Sequence, residues 1–132
     1  MPRKTIATHQ APAAIGPYVQ GVDLGGMVIT SGQIPIDPQT GRVAEAVAEQ
    51  ARQSLANIAA ILQAAGLAVG DIVKTTLFIT DLADFTLINQ AYAAFFDAHS
   101  AAYPARSCVQ VAALPKGVKL EIEALAWRTT AC

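Results

Sequence analysis

The period of apolar positions changes along the chain. Thr5 to His9 and Tyr18 to Asp23 predict short strands, and Gly25-Gly26 turns the chain into a third, Met27 to Gly32. Asp37-Pro38-Gln39-Thr40-Gly41 reads as a loop. From Ala44 to Ala65 apolar residues recur at Val47, Ala51, Leu55, Ile58, Ile61, Leu62 and Ala65, the spacing of an amphipathic helix that Gly66 would end. Ile72 to Thr80 is β-rich and apolar. Asp81 is placed to cap a second helix, with Asp84 in its first turn and Phe85, Ile88, Tyr92, Phe95 and Phe96 facing inward as it runs to about His99. Two further strands give the order βββαβαββ, an α+β layer fold with two helices on one face of a mixed sheet and the other face left for partners.

The last two strands read as one hairpin across Leu114-Pro115-Lys116-Gly117-Val118, with Pro115 paired to Val118. That register gives one core side to Val118, Leu120, Ile122, Ala124 and Ala126 together with Ala105, Ser107, Val109, Val111 and Ala113. The opposite side then carries Arg106, Cys108, Gln110, Glu121, Glu123 and Trp127, either a solvated face or a site. Arg106 is the odd residue, a guanidinium inside an otherwise apolar strand. Glu121 falls opposite Ala112, about 20 Å along from Arg106 at roughly 3.3 Å per residue. A site using both is therefore expected between subunits.

Composition points the same way. Charged residues make up 14% and apolar residues 53% of the 132 residues, against roughly 25% and 45–50% in soluble domains. Surface is expected to be hidden by closed homo-oligomerisation through the second sheet face. A net charge of −1 with singly scattered Lys and Arg offers no footprint for nucleic acid. No apolar run has the length of a membrane span, and Met1-Pro2-Arg3-Lys4-Thr5 is not followed by the apolar stretch of a signal peptide, so a cytoplasmic protein is expected. Cys108 and Cys132 do not form a disulfide framework, and His9 and His99 lack zinc-ligand spacing. Glycines 21, 25 and 26 read as turns rather than a phosphate cradle. One domain over residues 1–132 is expected.

Several segments together carry a family resemblance. Pro104-Ala105-Arg106-Ser107-Cys108-Val109 and Leu120-Glu121-Ile122 resemble the C-terminal signature of the RidA family of enamine/imine deaminases. Ala11-Pro12-Ala13-Ala14-Ile15-Gly16-Pro17-Tyr18, Thr30-Ser31-Gly32-Gln33-Ile34-Pro35, Val73-Lys74-Thr75-Thr76 and Asp81-Leu82-Ala83-Asp84-Phe85 are similar to it as well, so the likeness covers nearly the whole chain. Only the tail Thr129-Thr130-Ala131-Cys132 departs from it. The resemblance implies a chorismate-mutase-like subunit, a homotrimer with sites in the clefts between subunits, and no cofactor or metal. It implies small enamine and imine substrates released by pyridoxal-phosphate dehydratases, hydrolysed to 2-keto acids and ammonia so that such enzymes are protected. By the same likeness Arg106 holds the substrate carboxylate, Cys108 lies beside it mainly through its backbone, and Glu121 handles the attacking water. Tyr18, Ser31, Gly32 and Asn89 match positions lining the pocket.

The residue types suit that chemistry. A planar carboxylate is gripped best by the planar fork of an arginine. One carboxylate beside both water and departing nitrogen can shuttle the proton, a contribution of typically 10²–10⁴-fold. Plainer readings stand beside these: Arg106 in an ion pair with Glu121 or Glu123, Glu121 as a solvated strand carboxylate, Tyr18 as a half-buried strand aromatic. Cys108 reads as a packed thiol, whose pKa Arg106 would lower, rather than as a nucleophile, since no histidine is near it in sequence. A non-catalytic binder or sensor of small keto or amino acids is the alternative function. Nuclease action or inhibition of translation is a third class, against which the missing basic patch weighs.

Overall fold

The computed structural model describes residues 3–129, so the expectations for Met1, Pro2, Cys132 and most of the tail lie outside the described residues. In chain order the elements are β1 (Lys4–Ile6), β2 (Gly21–Asp23), β3 (Met27–Thr30), α1 (Val47–Ala64), β4 (Ile72–Ile79), α2 (Phe85–Ala98), β5 (Ala105–Gln110) and β6 (Leu120–Trp127). The βββαβαββ order is the one the sequence predicts. Among the described residues no helix is long and apolar enough to cross a membrane.

Helix α1 begins three residues later than its apolar spacing suggests. Ala44 is instead held outside it, its carbonyl accepting from the Gln50 side chain at 2.8 Å. Gly66 ends the helix at φ +82°, where Gly66 N donates to Gln63 O and Leu67 N to Leu62 O. Those paired bonds satisfy carbonyls the helix leaves open, and they need a residue without Cβ in the left-handed region. Asp81 accepts from Ala83 N at 2.8 Å and caps a short 3₁₀ turn, Leu82–Asp84, that leads into α2. Ile88, Tyr92 and Phe96 of α2 are buried, with Phe85 and Phe95 packed at the margin.

The sheet order is β1-β2-β3-β6-β4-β5, antiparallel except for the parallel β4–β5 pair. The expected hairpin is therefore not formed. The turn itself exists, since Lys116 and Gly117 both adopt positive φ and Val118 N reaches Pro115 O at 3.4 Å. The strands leaving it go to opposite sides of β4. The cause is α2: a helix joining β4 to β5 returns the chain to the same end of the sheet, which makes the two strands parallel neighbours.

This topology fixes the faces. Leu77 and Ile79 of β4 and Leu120, Ile122, Ala124 and Ala126 of β6 lie under the helices with Leu55, Ile58 and Leu62 of α1. Truncating any of the fully buried leucines or isoleucines to Ala would cost about 2–5 kcal/mol. The other face has no helix over it; there Ile29, Val109 and Trp127 remain 37%, 45% and 50% exposed.

Candidate functional site

Residues singled out from the sequence fall into two groups. Parallel pairing places Arg106 beside Thr75 and Cys108 beside Leu77, so both side chains lie on the helix face at the sheet edge. The expectation of Arg106, Cys108 and Gln110 on the same face as Glu121 is corrected by this pairing, as is that of Ser107 and Val109 in the core, since both are exposed. An edge strand is only half covered by helix, so the face that would be core elsewhere in the sheet opens here into a cleft.

Helix α2 shapes that cleft. Arg106 Nη1 donates to Asn89 Oδ1 at 2.7 Å, and Arg106 Cζ lies 4.9 Å from the Tyr92 ring centre and 5.4 Å from that of Phe85. Aromatic faces stabilise a cation at such distances. The Tyr92 hydroxyl is fixed in turn by buried Thr75, 2.6 Å away, and burial raises the Tyr92 pKa so that the phenol stays neutral. Among the described residues Arg106 forms no ion pair. A guanidinium has five N–H donors, and the single bond to Asn89 leaves most of the fork free for an anion. A cavity of about 350 Å³ opens onto it, lined by Asn89, Tyr92, Ala93, Tyr103, Pro104 and Arg106. Cys108 packs against the core, and burial pushes its thiol pKa up despite the opposing charge of Arg106. Activation of Cys108 by Arg106 is thus not what this environment produces.

The second group surrounds Glu121. This residue pairs with Phe78 on the helix-free face, half-buried. Burial first, and the like charge of Glu123 second, hold its carboxyl above the ordinary glutamate range. A Cβ at Gly32 would lie 2.5 Å from Glu121 Oε2 and 2.9 Å from Cδ, so the glutamate occupies the space a side chain would fill. Reciprocal backbone bonds between Gln33 and Ile122, 2.7 and 3.1 Å, pin this loop beside β6. Ser31 then ties in the Tyr18 segment, its Oγ donating to Val19 O at 2.6 Å and its N to Gln20 O at 2.8 Å. Tyr18 lies in a loop rather than a strand and is 48% exposed. A cavity of about 310 Å³ is lined in part by Tyr18 and Gly32.

The structure thus brings Arg106, Asn89 and Cys108 together, and separately Glu121, Gly32, Ser31 and Tyr18. One half offers a cationic fork; the other offers a carboxylate whose proton affinity is raised. Among the described residues no cluster of His, Cys, Asp and Glu suits a metal ion. Sequence reading missed three buried amides, Gln20, Gln33 and Asn57, that hold the loops of the second half. Their only sequence signal is a polar residue among apolar ones, which does not distinguish a buried amide from a solvated one.

The chain has close relatives among known proteins. Residues 8–128 match the family described as Endoribonuclease L-PSP. A Salmonella typhimurium protein named 2-iminobutanoate/2-iminopropanoate deaminase is 71% identical over 125 residues, covering 95% of this chain and 98% of the relative. The Escherichia coli protein named putative reactive intermediate deaminase TdcF is 66% identical over 127 residues, covering 96% and 98%. A crystal structure of E. coli TdcF with bound serine superposes with a TM-score of 0.94 at 67% identity, covering 96% of this chain and 99% of that one.

Proposed function

Because the chain belongs to the Endoribonuclease L-PSP family, also called RidA, we propose that it is a deaminase hydrolysing 2-iminopropanoate, 2-iminobutanoate and their enamine tautomers. The observation that carries the reading is Arg106, oriented by Asn89 at 2.7 Å with the rest of its fork unpartnered among the described residues. It grips the substrate carboxylate beside Cys108. Two copies meet through the helix-free sheet face, in a homotrimer, so that Glu121 of a second copy reaches the imine held by the first. The exposed Ile29, Val109 and Trp127 on that face support this assembly.

Glu121 takes a proton from water as the oxygen adds to the imine carbon and the C=N electron pair moves to nitrogen. The same carboxyl then protonates nitrogen, takes the hydroxyl proton of the resulting carbinolamine and passes it to the departing nitrogen, so that ammonia leaves as the C–O bond becomes the keto group. Each turnover consumes one water and yields one 2-keto acid and one ammonia. Its raised proton affinity suits a group that must both accept and return a proton. Tyr18, Ser31 and Gly32 line the same pocket from the Glu121 side. No cofactor enters the scheme. In the cell the substrates arise from pyridoxal-phosphate-dependent dehydratases in the cytoplasm, which the activity protects.

The test couples the protein to threonine dehydratase and follows imine loss. Acceleration by the unaltered protein is expected, with Glu121→Ala retaining pyruvate binding but losing the acceleration, and Arg106→Ala losing both. Absence of acceleration by the unaltered protein would leave a binder of small keto or amino acids. The word endoribonuclease in the family description finds little support in a chain with 9 Lys and Arg against 10 Asp and Glu; RNA incubated with the pure protein is expected to stay intact.

A further inference from the structure

Thr75 and Arg106 are partners in the parallel β4–β5 pair, so their side chains stand next to each other on the helix face. Thr75 is fully buried, and its hydroxyl lies 2.6 Å from that of Tyr92, which is buried in turn and belongs to α2. Two buried hydroxyls that satisfy only each other add little to stability over an apolar pair of the same shape. The bond is explained instead by what it places. It ties down the tip of the Tyr92 ring, and fully buried Phe96 packs against that ring with centroids 4.8 Å apart. The ring so held has its centre 4.9 Å from Arg106 Cζ, and half-buried Phe85 adds a second aromatic surface at 5.4 Å. A guanidinium that must grip a carboxylate cannot be restrained by a protein carboxylate without competition for the same N–H donors. Aromatic faces hold the cation and leave those donors free, and among the described residues Arg106 has no acidic partner.

We infer that Tyr92, Phe85 and Thr75 are positioning residues for the anion grip: the two rings hold the plane of the Arg106 guanidinium, and Thr75 holds the Tyr92 ring. This rests on the carboxylate role of Arg106 in the reading above. A free arginine side chain gives up rotamer freedom each time a ligand binds, whereas one restrained beforehand does not. The imine substrate and the keto product carry the same carboxylate, so the cradle raises affinity for both alike. Such uniform binding sets KM and product inhibition together and leaves kcat nearly unchanged.

Pyruvate binding by calorimetry and imine turnover coupled to threonine dehydratase, on full-length variants whose folding is checked by circular dichroism, test the assignment. Tyr92→Leu removes one ring face and is expected to raise the pyruvate Kd and the imine KM together by about tenfold, with kcat within about twofold, inside the roughly 2- to 30-fold that a cation over an aromatic face is worth. Thr75→Val and Tyr92→Phe keep the ring and free its tip, and each is expected to raise Kd about threefold. The double variant should be no weaker than either single one, because both lose the same bond. Phe85→Leu, at the half-buried margin, provides an arm that does not depend on Tyr92→Leu folding and is expected to raise Kd about threefold. A Kd moving less than about twofold in Phe85→Leu and Thr75→Val, or a fall in kcat with Kd unchanged, would overturn the assignment. No pyruvate binding by the unaltered protein would overturn the carboxylate role of Arg106 and the cradle with it. Pyruvate binding that follows the expected order without imine turnover would overturn the deaminase reading alone and uphold the cradle.

Discussion

Arg106 and Glu121 flank the same strand but lie on opposite faces of the sheet, Arg106 paired with Thr75 on one side of β4 and Glu121 with Phe78 on the other. Their pairing positions differ by three residues along β4 and two strand spacings across it, about 10 Å in each direction. A flat ligand of a few atoms cannot bridge that separation through a sheet.

Inactive chains should therefore complement one another. Arg106→Ala and Glu121→Ala proteins, mixed in equal amounts, unfolded and reassembled, are expected to regain about a quarter of full activity. In a cyclic assembly a site is intact only where an Arg106-bearing copy precedes a Glu121-bearing one. Turnover assays before and after reassembly measure this, and unchanged inactivity would show that one chain supplies both groups.

Gly32 is expected to tolerate no side chain. A methyl there would come within 2.5 Å of Glu121 Oε2 and force the carboxylate aside. A displacement of about 1 Å can cost on the order of 10²-fold in rate. Gly32→Ala should lose activity on that scale while its circular dichroism and association state match the unaltered protein.

The pH profile should report Glu121. Its raised pKa means that kcat/KM, which in the proposed mechanism needs the ionised form, rises with pH through a limb above the ordinary glutamate value of 4.5. Burial is the larger cause and Glu123 the smaller. Glu123→Gln is thus expected to move the acid limb to lower pH without bringing it to the ordinary value. A limb that stays in place would show that Glu123 does not act on the titrating group.

Both helices and the core side of β6 were legible from sequence because each rests on local periodicity: Leu55, Ile58 and Ile61 at helical spacing, Leu120, Ile122 and Ala124 at alternate positions. Arg106 and Glu121 stood out as charges within apolar strands. The partner of β5 was not legible. Strands adjacent in sequence pair by default, and only the crossover through α2 makes β4 the neighbour, which reverses the face assigned to Arg106 and Cys108. Gln20 and Asn57 escaped notice because their partners are carbonyls of loops whose path no local pattern specifies.

Arg128 fastens the C-terminal end of α1 to the turn between β2 and β3. It donates to Ala65 O at 2.9 Å, Gly25 O at 2.8 Å and Asp23 Oδ2 at 2.7 Å. Arg128→Ala is expected to cost about 2–4 kcal/mol at neutral pH, since three acceptors lose a charged donor. The Gly25 N–H chiefly, with Arg128 assisting against burial, holds the Asp23 pKa below 3.8. A carboxyl depressed in the folded state stabilises above its unfolded pKa, and that contribution fades as pH falls through the folded one. Urea denaturation at descending pH should accordingly show the gap between the variant and the unaltered protein narrowing without closing, because the bonds from Arg128 to Gly25 O and Ala65 O do not titrate.

Strand β5 ends the sheet, so one row of its backbone groups has no neighbour within the described residues. Exposed rows of that kind template stacking of identical chains into fibrils, and natural proteins discourage it with an inward-turned charge on the outermost strand. Arg106 meets that description. Exchanging it for leucine would remove the anion grip proposed above and also strip a safeguard against amyloid-like growth, so loss of solubility in such a variant would have a physical origin separate from its loss of turnover.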